Sequence, residues 1–107
     1  MDIIDENIQR YAEKHTSPES ELLRKISRDT HAKVTMPRML SGQLQGRFLA
    51  MVSQMIRPDR ILEIGTFTGY SALCLSEGLP AGGTLVTIDI NEELEDKVRT
   101  YFKESGL

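Results

Sequence analysis

Residues 60–91 hold two short apolar runs, Ile61-Leu62-Glu63-Ile64 and Thr84-Leu85-Val86-Thr87-Ile88, joined by a glycine-bracketed turn and a stretch of small and apolar residues. Ile61, Leu62 and Ile64 show no alternation of polar with apolar residues, the pattern of a parallel strand covered on both faces. Gly65 and Gly69 bracket the turn that follows. A glycine at a strand's carboxyl end lets backbone amides approach a ligand with no side chain between them. Tyr70 to Leu75 read as a helix whose amino terminus points back at the same spot. Unpaired N–H groups and the positive end of the helix dipole favour a carboxylate or phosphate there. Thr84 to Ile88 form the second strand, with Asp89 at its carboxyl tip. Ligands of open parallel sheets lie outside those carboxyl ends, so Asp89 is placed to accept hydrogen bonds from ribose hydroxyls. The pattern predicts an α/β chain with a site for a nucleoside-bearing cofactor.

The dinucleotide fingerprint needs glycines at G-x-G-x-x-G, and Gly65-Thr66-Phe67-Thr68-Gly69 lacks the middle glycine that makes room for a pyrophosphate. The spacing argues against NAD. The string E-I-G-T-F-T-G-Y-S-A-L over residues 63–73, with T-I-D-I-N over 87–91, resembles the S-adenosylmethionine site of the cation-dependent O-methyltransferases. That group includes the catechol and caffeoyl-CoA O-methyltransferases. The resemblance extends upstream through Met36-Pro-Arg-Met-Leu-Ser-Gly-Gln-Leu-Gln-Gly46 and covers roughly residues 30 to 107. Within it, G-x-x-x-G-Y-S is fairly specific to the group.

The resemblance implies the amino-terminal half of a doubly wound, Rossmann-like methyltransferase fold: three helices, two parallel strands and two further helices. Residues 1–58 would form a helical segment that dimerises and closes over cofactor and substrate, and residues 59–107 the first part of the S-adenosylmethionine-binding domain. Gly65 and the loop backbone as far as Gly69 would lie against the methionine part of the cofactor, with Glu63 orienting its amino end. Ser71 would hold the methionine carboxylate, Asp89 both ribose hydroxyls, and Ile90 the adenine face. Met39 and Ser41 would close over the cofactor near its sulfonium. Phe67 stands where catechol-type members carry a tyrosine, so only shape and backbone contact carry over at that position. The implied reaction is methyl transfer to a hydroxyl of a small phenolic acceptor, assisted by a divalent cation. The ligands of that cation and the catalytic groups are expected beyond residue 107, so this chain is read as half a fold that binds the donor without turnover.

Each of these residues also has a plainer reading. Glycines after a strand occur in many α/β turns, and Asp89 alone could cap a helix. Asn91 is the better cap, because the acids Glu92, Glu93, Glu95 and Asp96 follow it and Leu94, Val98 and Phe102 recur at helical spacing. That assignment leaves Asp89 for a ligand. Glu63 on a buried strand is costly to hide without a partner, which favours a site. Met36, Met39, Met51 and Met55 could form a thioether cluster, but Leu44, Phe48, Met51, Val52 and Met55 make one helical stripe and are expected in the core. Cys74 is read as a buried, inert thiol. His15 and His31 lack metal-ligand spacing.

The chain has 107 residues and a net charge of -3, with no basic cluster to suggest nucleic acid. It has no apolar run of membrane-spanning length and no signal-peptide pattern. A single cysteine fits a reducing, cytoplasmic setting. Ile3 to Lys14 is amphipathic, with Ile4, Ile8 and Tyr11 in register. Thr16-Ser-Pro-Glu19 reads as a capping box opening a helix that carries Leu22, Leu23 and Ile26. The loop before the third helix is expected over Val34 to Leu40 with Lys33 at its start; Lys33 and Arg38 could meet an acidic or CoA-like acceptor but are read as solvated surface. Ser41 or Gly42 opens a third helix, Arg57-Pro-Asp59 turns the chain into the first strand, and Gly106 caps the last helix. Two other readings stay open: a nicotinamide dinucleotide-binding module, and a non-catalytic helical domain whose Ile4, Ile8, Leu22, Leu23 and Ile26 face a partner.

Overall fold

A computed structural model describes residues 3–34 and 39–107. The order is α1 (Glu6–Lys14), α2 (Glu21–Lys33), α3 (Gly42–Ile56), β1 (Arg60–Ile64), α4 (Tyr70–Ser76), β2 (Thr84–Ile88), a 3-10 turn (Glu92–Leu94) and α5 (Glu95–Glu104). The strands pair in parallel, with Leu62 opposite Val86, Glu63 opposite Thr87 and Ile64 opposite Ile88. The α/β class and the sequence of helices and strands are as expected. Helices cover one face of the sheet. On the other face Leu62, Ile64, Val86 and Ile88 are exposed, so among the described residues the strands are covered on one side only.

Two helix starts differ from the sequence reading or refine it. Asp5 caps α1, its carboxylate accepting the Asn7 N–H at 2.8 Å. The capping box expected at Thr16–Glu19 does not form. Ser20 is the cap of α2, its hydroxyl accepting the Leu23 N–H at 3.2 Å. Thr16 instead donates to the Ala12 carbonyl at the end of α1, and the Glu19 carboxylate accepts the Tyr70 hydroxyl. Ser20 lies directly before the helix and takes the cap, while both ends of the expected box, Thr16 and Glu19, are engaged elsewhere.

The larger correction concerns α3. Its bulky stripe was expected in the core, yet Phe48, Met51 and Met55 are exposed, Met55 at 76%. Gly46, Ala50 and Ser53 are the buried residues instead. These lie on the face turned to α4, and their small size lets the two helices approach closely. A Cβ on Gly46 would stand 2.7 Å from Tyr70 Cε1 and 2.8 Å from Cys74 Sγ, and one on Gly78 would stand 2.2 Å from the Ser53 carbonyl oxygen. Close packing of backbones decided which face of α3 is buried, and hydrophobic size did not.

The core gathers Leu23 and Ile26 of α2, Ala50 of α3, Tyr70, Leu73 and Cys74 of α4 and Tyr101 of α5. Helix α2 is bound to the rest by polar groups as well. Tyr101 donates to Asp29 at 2.8 Å and Lys25 meets Glu104 at 2.9 Å. Helix α5 closes with paired bonds from Gly106 N–H to the Lys103 carbonyl and from Leu107 N–H to the Phe102 carbonyl. Gly106 has a φ of 83° there, the left-handed cap expected of it.

Candidate functional site

The site is built around the five-residue turn between β1 and α4. The Gly65 N–H donates to the Ile88 carbonyl at 2.7 Å, tying the tip of β1 to that of β2. The turn then visits left-handed backbone three times, at Gly65 (100°), Phe67 (48°) and Gly69 (89°). Glycine adopts this region freely, whereas for phenylalanine it costs about 1–2 kcal/mol. The cost at Phe67 is offset by Asp89, whose Oδ2 accepts the Phe67 N–H at 2.9 Å.

Asp89 is thus part of the turn as well as a candidate ligand group. Its Oδ1 accepts the Asn91 N–H at 2.9 Å. The amide of Phe67, and next that of Asn91, holds the Asp89 carboxyl below its ordinary pKa. Asn91 caps the following turn as expected, accepting the Glu93 N–H at 3.0 Å, but this does not leave Asp89 unengaged. A carboxylate offers about four lone-pair positions, so the two amides leave about two for a diol. Asp89 is exposed and reachable.

Glu63 is half-buried and fully engaged by hydroxyls. Thr87 donates to its Oε1 at 2.7 Å, and Ser71 donates to its Oε2. The Thr66 and Thr87 hydroxyls meet at 2.7 Å. Thr87 has one hydrogen, committed to Glu63, so Thr66 is the donor in that pair. A directed chain therefore runs from the turn through Thr66 and Thr87 to Glu63, with Ser71 joining from α4. Deeper in the turn, the buried hydroxyls of Thr68 and Thr30 meet at 3.1 Å.

A hollow of about 580 Å³ is bordered by Met39, Phe67, Asp89 and Ile90, with Lys33 and Leu94 at its rim. Four of the nine residues singled out from sequence share this hollow. Ile90 is 98% exposed, a free apolar side chain at its edge. Lys33 is the last residue of α2 rather than part of a loop, whereas Met36 and Arg38 lie outside the described residues. Gly65, Gly69, Glu63 and Ser71 form the turn and the hydroxyl group beside it. Ser41 sits at the N-cap of α3 with helical dihedrals and no capping bond, and it does not border the hollow. Phe67 and Asp89 also border a second hollow of about 420 Å³ against β2 and α5.

Thr66 and Thr87 were given no side-chain role in the sequence reading. The only signal available was a threonine beside Glu63 in the parallel register, visible once the strands are paired. Arg47 was missed too. It pairs with Glu77 and sits 3.8 Å from Cys74 Sγ. Cys74 is buried as expected, and burial pushes its thiol up to about 11 against the opposing pull of Arg47. His15 and His31 are exposed and bonded to carbonyls of their own helices. Among the described residues no three His, Cys, Asp or Glu side chains gather as a metal site, and no helix is long and apolar enough to cross a membrane.

Comparison with known proteins places this geometry. The O-methyltransferase family profile matches residues 13–107. Caffeoyl-CoA O-methyltransferase 2 of Petunia hybrida is 36% identical over 80 residues, covering 75% of this chain and 33% of that protein. A Podospora anserina methyltransferase solved with SAH bound superposes with a TM-score of 0.86 at 27% identity, over 100% of this chain and 48% of the other. The O-methyltransferase TomG of Streptomyces achromogenes, solved with SAM, gives 0.83 at 31% identity over 94% and 44%. The chain spans about a third of the length of the curated relatives it matches and about half that of the solved chains. The match over residues 13–107 places this chain in the O-methyltransferase family, to which it belongs.

Proposed function

We propose that this chain forms the donor-binding side of an S-adenosylmethionine-dependent O-methyltransferase acting on a hydroxyl of a small phenolic acceptor. The observation that carries the reading is Asp89, held at the tip of β2 by two backbone amides, with lone pairs left for a ribose diol and a hollow beside it. The donor set fits the cofactor. A carboxylate suits the diol, the exposed Ile90 and Met39 suit a purine face and a sulfonium, and Glu63 with Ser71 suits the zwitterionic end of methionine. When bound, S-adenosylmethionine supplies an electrophilic methyl group. The task of the residues present is orientation: fixing the adenosine at Asp89 and the amino-acid end at Glu63 sets the direction of the methyl group toward an acceptor.

Among the described residues no three His, Cys, Asp or Glu side chains gather to hold the divalent cation implied by the resemblance. Homodimerisation through the amino-terminal helices belongs to the same reading, supported by the exposed Ile4, Ile8, Tyr11, Phe48, Met51 and Met55. So does a cytoplasmic setting, supported by the single buried free cysteine.

Calorimetry of the 107-residue chain with S-adenosylhomocysteine and with NAD tests the donor reading. Heat with S-adenosylhomocysteine, lost in Asp89→Ala, is expected. Binding of NAD alone would replace this reading with a nicotinamide module, and binding of neither would leave a helical interaction domain.

A further inference from the structure

Glu63 has a feature that its assignment to a cofactor's amino end does not explain. Both of its oxygens are taken by hydroxyl groups of the chain, and one of those hydroxyls is itself held by a third. A carboxylate on a strand, half-buried, needs partners. Two donors from two different elements fix it in position as well, because Thr87 lies on the neighbouring strand in register with Glu63 and Ser71 lies on α4. The direction of the chain is determined by hydrogen count. Glu63 accepts only, so Thr87 donates to it, and Thr66 must donate to Thr87. Each bond in such a series polarises the next. Thr66 belongs to the turn that carries Phe67, so the same series couples the position of Glu63 to the shape of the glycine turn.

We propose that Thr87, oriented by Thr66, is a positioning residue that presets the Glu63 carboxylate for the ammonium group of the donor's amino-acid end, while Ser71 holds the second oxygen until a ligand carboxylate takes its hydroxyl. The proposal rests on the donor reading above. Its distinguishing consequence is selectivity within the ligand. Thr87 supports recognition of the amino-acid end and has no part in binding the adenosine end, which belongs to Asp89.

The test compares S-adenosylhomocysteine with 5′-methylthioadenosine, which keeps the adenosine and thioether and lacks the amino acid. In Thr87→Val, which keeps the shape and removes the hydroxyl, S-adenosylhomocysteine should bind about tenfold more weakly, the worth of one hydrogen bond to a charged group. Methylthioadenosine should be unchanged within about twofold, and Thr87→Ser should restore the first ligand. Thr66→Val, one bond further out, should show a smaller loss with the same selectivity. Unchanged S-adenosylhomocysteine affinity in Thr87→Val overturns the proposal while the donor reading stands, as does an equal loss of both ligands in both valine variants, which would mark a merely structural role. Failure of the unaltered chain to bind either ligand removes the donor reading, and this proposal with it.

Discussion

Gly78→Ala is the substitution for which two opposing effects have magnitudes that can be compared. Gly78 follows α4 with a φ outside the left-handed range, so alanine can adopt its backbone. On that ground alone the change would stabilise by about 0.4–1 kcal/mol, by narrowing the unfolded ensemble. The added Cβ, however, would stand 2.2 Å from the Ser53 carbonyl oxygen and 2.3 Å from Ser53 Oγ. The blocking atoms are mainly backbone, which no rotamer change removes. Helices α3 and α4 must move apart by roughly 1 Å to restore ordinary contact, and overpacking of this kind costs about 1–3 kcal/mol. The shift also strains the bond from Ser53 Oγ to the Leu75 carbonyl, worth about 1 kcal/mol. The steric side wins, for a net loss of about 1–3 kcal/mol. Urea unfolding followed by far-ultraviolet circular dichroism measures this as a lower midpoint at unchanged slope. Gly82→Ala is the control for conformation without contact: its φ is +84° with nothing within 4 Å of the new Cβ, so its cost is backbone strain of about 1–2 kcal/mol alone. An equal or raised midpoint for Gly78→Ala would refute the close approach of α3 to α4.

Burial places Cys74 beyond the reach of thiol reagents, so a chromogenic disulfide should label it only when the chain unfolds, and labelling at neutral pH in the folded state would contradict the core packing. Tyr70 and Tyr101 have folded pKa values raised above the ordinary 10, chiefly by burial and then by bonds to Glu19 and Asp29. Their contribution to stability is therefore complete below about pH 10 and lost as pH rises toward the folded values, which ultraviolet tyrosinate titration should show as late ionisation coincident with unfolding. Asp89 has the opposite sign. Its folded pKa is depressed, so its hold on Phe67 is complete above about pH 4 and lost as pH falls through the folded value, measurable as a carboxyl carbon shift by nuclear magnetic resonance.

The backbone geometry of the turn and strand tip was more legible in the sequence than the packing was. Gly65, Gly69 and Asp89 were legible because their roles depend on local backbone chemistry: a turn requiring left-handed conformations and a carboxylate at a strand tip. The α3 stripe was misread because hydrophobic periodicity records which face is apolar and says nothing of how closely two backbones can come. Gly46, Ala50 and Ser53 are small, and small residues carry no weight in an apolar pattern. The capping box at Thr16–Glu19 failed for a related reason, since the partner that drew Glu19 away is Tyr70, fifty-one positions along the chain. The Thr66–Thr87–Glu63 series depends on strand register, which is fixed only once β1 and β2 have paired.

The polar ties of α2 also bear on the order in which the chain assembles. Strand β1, helix α4 and strand β2 are neighbours along the chain and close small loops. The bonds from Tyr70 to Glu19, from Tyr101 to Asp29 and from Lys25 to Glu104 span 51, 72 and 79 residues. Loop closure over such lengths is entropically costly and is repaid only when both α4 and α5 are already in place. Helix α2 is therefore expected to dock late, onto α4 and α5, where Leu23 and Ile26 complete the core. Substitutions such as Asp29→Ala should hasten unfolding far more than they slow folding. Opening of this helix would uncover Thr68, which meets Thr30 of α2 at the base of the turn, while the strands beside it stay paired.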